Sequence, residues 1–183
     1  MSVDLQETAD QQEAMTLREV AAEVAALRRT VCELRDRAEI NELIDRYVIL
    51  LDTQDDHGFD STWPATVFTD DVRLHFPIGI HEGLEGVAEF HHAGKVRFDR
   101  TLHLSANHAI TLDGDRARVR MHLLATHVHH PSPDAPDRIG TLFDIGGHYG
   151  GEAVRTERGW RFSEWGFHLT WAAGPGPDGK PVM

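Results

Sequence analysis

Hydrophobic residues recur at helical spacing between Ala38 and Asp56. They occupy positions i, i+3, i+4, i+7, i+8 and i+11, the stripe of a helix that packs against a core, and they are Ile40, Leu43, Ile44, Tyr47, Val48 and Leu51. Tyr47 lies inside the stripe, whereas Asp52 lies at its edge in the last turn. The pattern predicts an amphipathic helix that ends on an acidic side chain.

Asp52 has two interpretations. The negative end of the helix dipole and partial burial both disfavour a carboxylate, so Asp52 is expected to be easier to protonate than a free aspartate and to serve as a proton shuttle. Alternatively, Asp52 is a solvated acid that begins the polar loop. The spacing alone leaves both interpretations open.

A second pattern precedes this helix. Residues 1–15 are polar without periodicity, which predicts a disordered lead-in. Residues 16–37 then predict an N-terminal helix that begins with a capping box at Thr16 and Glu19. Its apolar residues alternate in steps of three and four over three heptads: Leu17, Val20, Val24, Leu27, Val31, Leu34 and Ala38. This seam either pairs with another subunit or lies across its own sheet.

After Asp56 the periodicity changes. A second short helix is predicted over 57–68, and a β-hairpin follows from Asp70 across the Pro77 break. The segment LEGVAEFHHAGK predicts about three helical turns. Four strands follow, over 101–112, 116–130, 139–155 and 159–171.

Helices followed by strands predict an α+β fold. We expect one domain, 38–172, in which a curved antiparallel sheet wraps around helices and leaves a pocket between them. The tail, 173–183, is rich in Gly and Pro and is predicted to be flexible.

Composition narrows the function. The chain has 183 residues and a formal charge of −12, and no Lys/Arg cluster provides a phosphate-binding face, which argues against nucleic acid as a partner. No apolar run reaches membrane-spanning length, so no membrane partner is expected. Cys32 is the only cysteine, so an intrachain disulfide is excluded. These features predict a soluble cytoplasmic protein.

Thirteen histidines are many for this length. In the strand over 116–130, His127 and His129 share a face with Met121 and other apolar residues, so imidazoles lie where a core is expected. His103 lies in the preceding strand, and its parity does not decide whether it faces the pocket.

His127 and His129 are close enough to contact one metal ion, but a third ligand would have to come from elsewhere. There is no H-E-x-x-H motif and no cysteine cluster, so the sequence predicts no metal and no cofactor. A nucleophile motif of the G-x-S-x-G type is also missing, which leaves acid–base chemistry.

Several motifs together carry a resemblance. They are Y-V-I-L-L-D, T-D-D-V-R-L-H-F, T-L-H-L-S-A-N-H-A-I-T-L-D-G-D and G-W-R-F-S-E-W. From Val20 to Trp171 the chain resembles the SnoaL-like branch of the nuclear transport factor 2-like superfamily, in particular scytalone dehydratases and bile-acid 7α-dehydratases. The resemblance implies a cone-shaped α+β fold.

The resemblance also implies catalytic residues. A Tyr and an Asp on the first cone helix act with a His early in the third strand, and these correspond to Tyr47, Asp52 and His103. The scytalone type pairs the Asp with a second His on the next strand, for which His127 is the best match after a shift of one residue.

The expected substrate contacts differ from the scytalone type. Phe76 stands where that type has a substrate-orienting Tyr, and Tyr149 takes the place of its pocket Asn. With Trp63, Met121 and His129, these residues are predicted to line a pocket for a different ring compound.

The sequence therefore predicts a cofactor-independent dehydratase that acts on a hydroxylated, ring-containing small molecule. Asp52 and His127 would form the base, and Tyr47 and His103 would polarise the carbonyl or hydroxyl group. The alternatives are a polyketide cyclase or isomerase of the SnoaL type and a non-catalytic small-molecule-binding or dimerisation module. A homo-oligomer is expected, with a trimer favoured by the resemblance and a dimer possible.

Overall fold

A computed structural model describes the backbone of residues 2–180 and the side chains of residues 16–180. The chain divides into two compact units, Met1–Ala38 and Glu39–Met183. Among the described residues, no helix is both long and apolar enough to cross a membrane.

The first unit is helical. Helix α1 runs over Ser2–Thr53 without interruption, so the predicted N-terminal helix and the predicted first cone helix form one element. The predicted disordered lead-in, 1–15, falls on residues whose side chains lie outside the described part. From residue 16 onward, the large apolar residues of the heptad seam are exposed in the single chain.

The second unit contains a six-stranded curved sheet. Its strands are β1 (Phe68–Phe76), β2 (Gly79–Glu82), β3 (Arg100–Asp113), β4 (Arg116–Val128), β5 (Leu142–Thr156) and β6 (Gly159–Ala173). The order across the sheet is β2-β1-β6-β5-β4-β3, which makes β3 an edge strand. The predicted α+β class is confirmed. One pair departs from the predicted antiparallel sheet, because β1 and β6 run parallel.

Two helical predictions in this unit have different outcomes. The segment LEGVAEFHHAGK contains helix α2, Val87–Lys95, so the predicted helix is present. The prediction of a second short helix over 57–68 is wrong, because this segment forms only a short 3-10 helix at Trp63–Thr66. Asp60 accepts hydrogen bonds from both the backbone N–H and the hydroxyl of Thr62, each at 2.7 Å, and Pro64 in the first turn has no N–H to donate.

The core lies between the end of α1 and the concave side of the sheet. The predicted apolar stripe of this helix is buried, with every member between 0% and 8% exposed. Tyr47 contacts aromatic rings of β1 and β6 edge to face, with ring centroids 5.6 Å from Phe68 and 6.2 Å from Trp165. This packing fixes where the last turn of α1 meets the sheet.

The β5–β6 pairing generates a stability prediction. A Cβ at Gly151 would lie 1.9 Å from the carbonyl oxygen of Glu164, whereas one at Gly150 would meet nothing closer than the Val119 carbonyl oxygen at 3.9 Å. We expect Gly151→Ala to lower the free energy of unfolding by about 1–3 kcal/mol, because β6 must move. Gly150→Ala should change it by less than about 0.5 kcal/mol. Urea denaturation followed by circular dichroism measures both, and equal effects would contradict the register of these strands.

Candidate functional site

The second unit contains a cavity of about 440 Å³ whose wall is mainly apolar. Its polar lining is provided by Gln54, His91, Lys95, Arg97, Thr101, His103, His127 and Tyr149. Another hollow, of about 370 Å³, is lined largely by charged side chains that form exposed ion pairs. An apolar wall with a few converging polar groups is the usual composition of a small-molecule site, so we place the candidate site in the first cavity.

Asp52 and His103 form the central pair. Asp52 Oδ1 lies 2.6 Å from Nδ1 of His103, and it also accepts a hydrogen bond of 2.6 Å from the hydroxyl of Thr101. The backbone N–H of His103 donates to Asp52 Oδ2 at 2.9 Å. Because β3 is an edge strand, this N–H has no strand partner on its outer side, and the carboxylate satisfies it.

Lys95 fixes the same helix end from α2. Its ammonium group donates to the main-chain carbonyl oxygen of Asp52 at 2.5 Å and to the carboxylate of Asp55. A cation at a helix C-terminus offsets the negative end of the helix dipole. Asp52 is therefore held through its side chain by β3 and through its backbone by α2.

The prediction that Asp52 is easier to protonate than a free aspartate is wrong. Burial alone would raise the pKa of this carboxyl, but the hydrogen bond and charge of His103, with the Thr101 hydroxyl and the His103 backbone N–H, lower the pKa below its ordinary value. At neutral pH the group is a carboxylate that only accepts hydrogen bonds. Nδ1–H of His103 therefore donates a hydrogen bond to it, and in the neutral form of this imidazole Nε2 is the nitrogen that can accept a proton.

His127 lies beside this pair but is not bonded to Asp52. Its ring is 5.5 Å from that of His103 and nearly perpendicular to it, and its Nδ1–H donates to the carbonyl oxygen of Phe143 at 3.2 Å. The predicted Asp52–His127 pair is therefore wrong: His103 is the partner, because β5 engages the Nδ1 of His127. Burial and the charge of His103 lower the pKa of His127 to about 4, so it is neutral at pH 7.

Tyr47 is completely buried and does not line the cavity. Its hydroxyl lies 3.2 Å from Nε2 of His91 and 3.4 Å from the hydroxyl of Tyr149. Nδ1–H of His91 donates to the carbonyl oxygen of Val87 at 2.9 Å, so Nε2 only accepts and Tyr47 donates to it. The sequence placed Tyr47 at the substrate, whereas in the structure His91 and Tyr149 lie between it and the cavity.

Burial keeps this hydrogen-bonded chain uncharged. It raises the pKa of both tyrosine hydroxyls and lowers the pKa of His91 to about 4. At neutral pH, Tyr47, His91 and Tyr149 are all neutral, so their interactions with a bound molecule are hydrogen bonds and ring contacts.

The remaining predicted contacts divide into two groups. Phe76 and Tyr149 line the cavity, as expected for substrate contacts. Trp63 and Met121 are core residues, 3% and 0% exposed, and neither lines the cavity. His129 does not line it either, since its Nε2–H donates to a backbone carbonyl of the C-terminal segment at 2.9 Å. Pairing of His127 with His129 at a metal is not supported by this arrangement.

Among the lining residues that the sequence analysis missed are three polar ones that contact Tyr47 or Asp52: His91, Thr101 and Lys95. His91 lies one turn after Val87 on the buried face of α2, and this spacing was a usable signal. Thr101 and Lys95 gave no signal of their own, because each acts only through its contact with Asp52.

Within the described residues, no group of three or more His, Cys, Asp or Glu side chains is arranged to hold a metal ion. The absence of a metal requirement remains a prediction.

The fold and cavity can be compared with known proteins. A protein of the nuclear transport factor 2-like superfamily from Salmonella enterica aligns with a TM-score of 0.62 and 22% identity, over 79% of this chain and 97% of that one. The fold is therefore of this class. A SnoaL-like domain matches residues 32–166, and the chain belongs to this family.

Other solved structures are similar as well. Kfla4162 from Kribbella flavida is 30% identical, with a TM-score of 0.66, over 77% of this chain and 95% of that one. A protein assigned as a scytalone dehydratase from Novosphingobium aromaticivorans is 18% identical, with a TM-score of 0.65, over 82% and 91% of the chains. The hexachlorocyclohexane dehydrochlorinase LinA-type3 from Novosphingobium barchaimii is 19% identical, with a TM-score of 0.62, over 77% and 90%. None of the curated proteins matches in sequence.

The neutral His127 generates a pH prediction. The unfolded chain takes up a proton at this residue near its ordinary pKa of 6.5, whereas the folded chain takes it up only near 4, so folding stability falls as pH falls between these values. From pH 7 to pH 5 this residue should account for a loss of about 1–2 kcal/mol.

His127→Asn preserves a donor toward Phe143 but does not titrate, so it should remove that part of the loss. His75→Asn, at an exposed position, should leave the loss unchanged. Urea unfolding of the three proteins at both pH values tests this, and an identical loss in parent and His127→Asn would refute it.

Proposed function

We propose that the protein is a cofactor-independent lyase that removes water from a hydroxylated, ring-containing small molecule by acid–base catalysis. The observation that carries this proposal is the His103 imidazole at the cavity wall, with Nδ1 bound to the Asp52 carboxylate at 2.6 Å, so that its neutral form would accept a proton at Nε2. A base oriented by a carboxylate partner is the usual arrangement for proton abstraction.

The reaction follows from this arrangement. Nε2 of His103 takes a proton from a ring carbon next to a carbonyl group, and the electrons of that C–H bond form a C=C bond as the neighbouring C–O bond breaks. The His103 imidazolium returns its proton to the leaving oxygen, which departs as water. Asp52 stabilises the transient positive charge, so no outside acid or redox partner is needed.

The other cavity residues would orient the ring. His127 and Tyr149 are neutral at pH 7, and each offers hydrogen-bonding capacity toward the carbonyl or hydroxyl groups of the substrate. Phe76 contributes an aromatic wall at 5.8 Å from the Tyr149 ring. Tyr47 would act indirectly by holding His91 and Tyr149 in place.

The similar structures support an elimination. The names of two of them, a dehydrochlorinase and a scytalone dehydratase, both describe the loss of a small group from a ring compound. The same base would also serve a polyketide cyclase or isomerase, because those reactions begin with abstraction of an activated C–H proton. A non-catalytic binding module is the third candidate. A homo-oligomer and a cytoplasmic location also belong to this proposal.

The central test removes either member of the pair. We expect Asp52→Asn and His103→Gln each to lower turnover about 10²–10⁴-fold, because the base is either left without its orienting partner or absent. The double variant should lose little more, since the two residues act as one unit. A panel of cyclic β-hydroxy ketones, monitored by the absorbance of the conjugated enone, supplies the assay.

Proton abstraction can be measured separately from elimination. Deuterium incorporation next to the carbonyl of the matching cyclic ketones, which lack the leaving group, reports the first step alone and is followed by NMR in D₂O. His75→Gln is the matched control at an exposed histidine. Exchange without elimination would favour a cyclase or isomerase. Binding of these ketones with neither exchange nor elimination would favour the binding module.

A separate prediction concerns metals. Dialysis against a strong chelator should leave enone formation unchanged, because the proposed proton transfers use only His103 and Asp52. Loss of activity on chelation that is restored by Zn²⁺ would show instead that a metal takes part.

A further inference from the structure

We infer that the heptad seam of α1 is an interface with a second copy of this chain, in a parallel, in-register, two-stranded coiled coil. The inference is independent of the reaction proposed above. The sequence left two partners open for this seam, another subunit or the chain's own sheet.

The exposure of the seam supports another subunit. Its six large apolar side chains are 41% to 65% exposed in the described chain: Leu17, Val20, Val24, Leu27, Val31 and Leu34. Single exposed apolar residues are ordinary on a protein surface, but a continuous stripe of them marks an interaction site. The residues of this stripe lie on one uninterrupted helix.

The identity of the core residues indicates the number of helices. With Leu17 at heptad position a, the central a positions are Val24 and Val31, and the d positions that follow them are Leu27 and Leu34. β-branched residues at a combined with Leu at d favour two parallel strands.

The flanking charges indicate the orientation. Glu23 at position g would face Arg28 at position e of the second copy in a parallel pair, and these opposite charges attract. An antiparallel pair that overlaps over the whole seam would place Leu17 of one copy opposite Leu34 of the other. Arg28 would then face Ala21 instead, and this attraction would be lost. The parallel arrangement is therefore favoured by charge as well as by core packing.

The first experiment measures molar mass by multi-angle light scattering of the full chain at micromolar concentration. We expect the parent to have an even multiple of the 20.5 kDa chain mass. Leu27→Asp introduces a charge into the seam and should halve this mass. Ala26→Asp is the matched control, since it adds the same charge at the adjacent outward position c and should leave the mass unchanged.

The second experiment tests orientation by disulfide formation in a Cys32→Ser background, where the introduced thiol is the only one. Leu34→Cys lies at position d near one end of the seam, so two copies meet only in a parallel, in-register pair. In the antiparallel pair they would be about 25 Å apart, too far for a disulfide. Glu33→Cys, at outward position c, is the control. We expect the Leu34→Cys protein to cross-link several times faster.

Three results would overturn the inference. One is a monomeric parent or a parent mass of three chains. Another is a Leu27→Asp protein with the parental mass. The third is cross-linking of Leu34→Cys no faster than that of Glu33→Cys.

Discussion

A carboxylate at the wrong end of a helix is the constraint on which this site depends. Asp52 lies in the last turn of α1, where the helix dipole disfavours negative charge, and it is partly withdrawn from water. The edge-strand N–H of His103 and the hydroxyl of Thr101 compensate by donating to the carboxylate. Lys95 places a cation at the helix end. Without these partners the group would be protonated more readily, and His103 would lose its orientation.

Apart from Lys95 and Arg97, the titratable groups that line the cavity around Asp52 and His103 are neutral. His91 and His127 have lowered pKa values, and Tyr149 has a raised one, so each is neutral where Asp52 is ionised. The charge of Lys95 is already engaged by the carboxylate of Asp55 and the main-chain carbonyl oxygen of Asp52. In the proposed reaction, an imidazolium formed by proton abstraction would therefore be the only new charge near the carboxylate.

Patterns with a fixed period were predictable from the sequence. The stripe of α1 and the strands of the sheet follow from the 3.6- and 2-residue periods, and the resemblance brought Asp52 and His103 to attention.

The partner of Asp52 was not predictable, because it depends on which strand lies at the sheet edge and on which N–H has no strand partner. The expected pKa of Asp52 had the wrong sign for the same reason: the helix alone was considered, and the three donors of β3 were not. For Tyr47, in contrast, the helical pattern alone was sufficient, since its place on the apolar stripe did indicate its burial.

The two stripes of α1 also differ in width, and width indicates the partner. From Ile40 to Leu51 the apolar positions include adjacent pairs such as Leu43 with Ile44, which gives a broad face suited to a sheet. Before Ala38 only positions a and d are large and apolar, with Glu23 and Arg28 directly beside them. A face this narrow can be covered by one helix, and a sheet laid on it would bury the flanking charges without partners. The change in pattern near Ala38 therefore separates a face that belongs to the core from one that fits another helix.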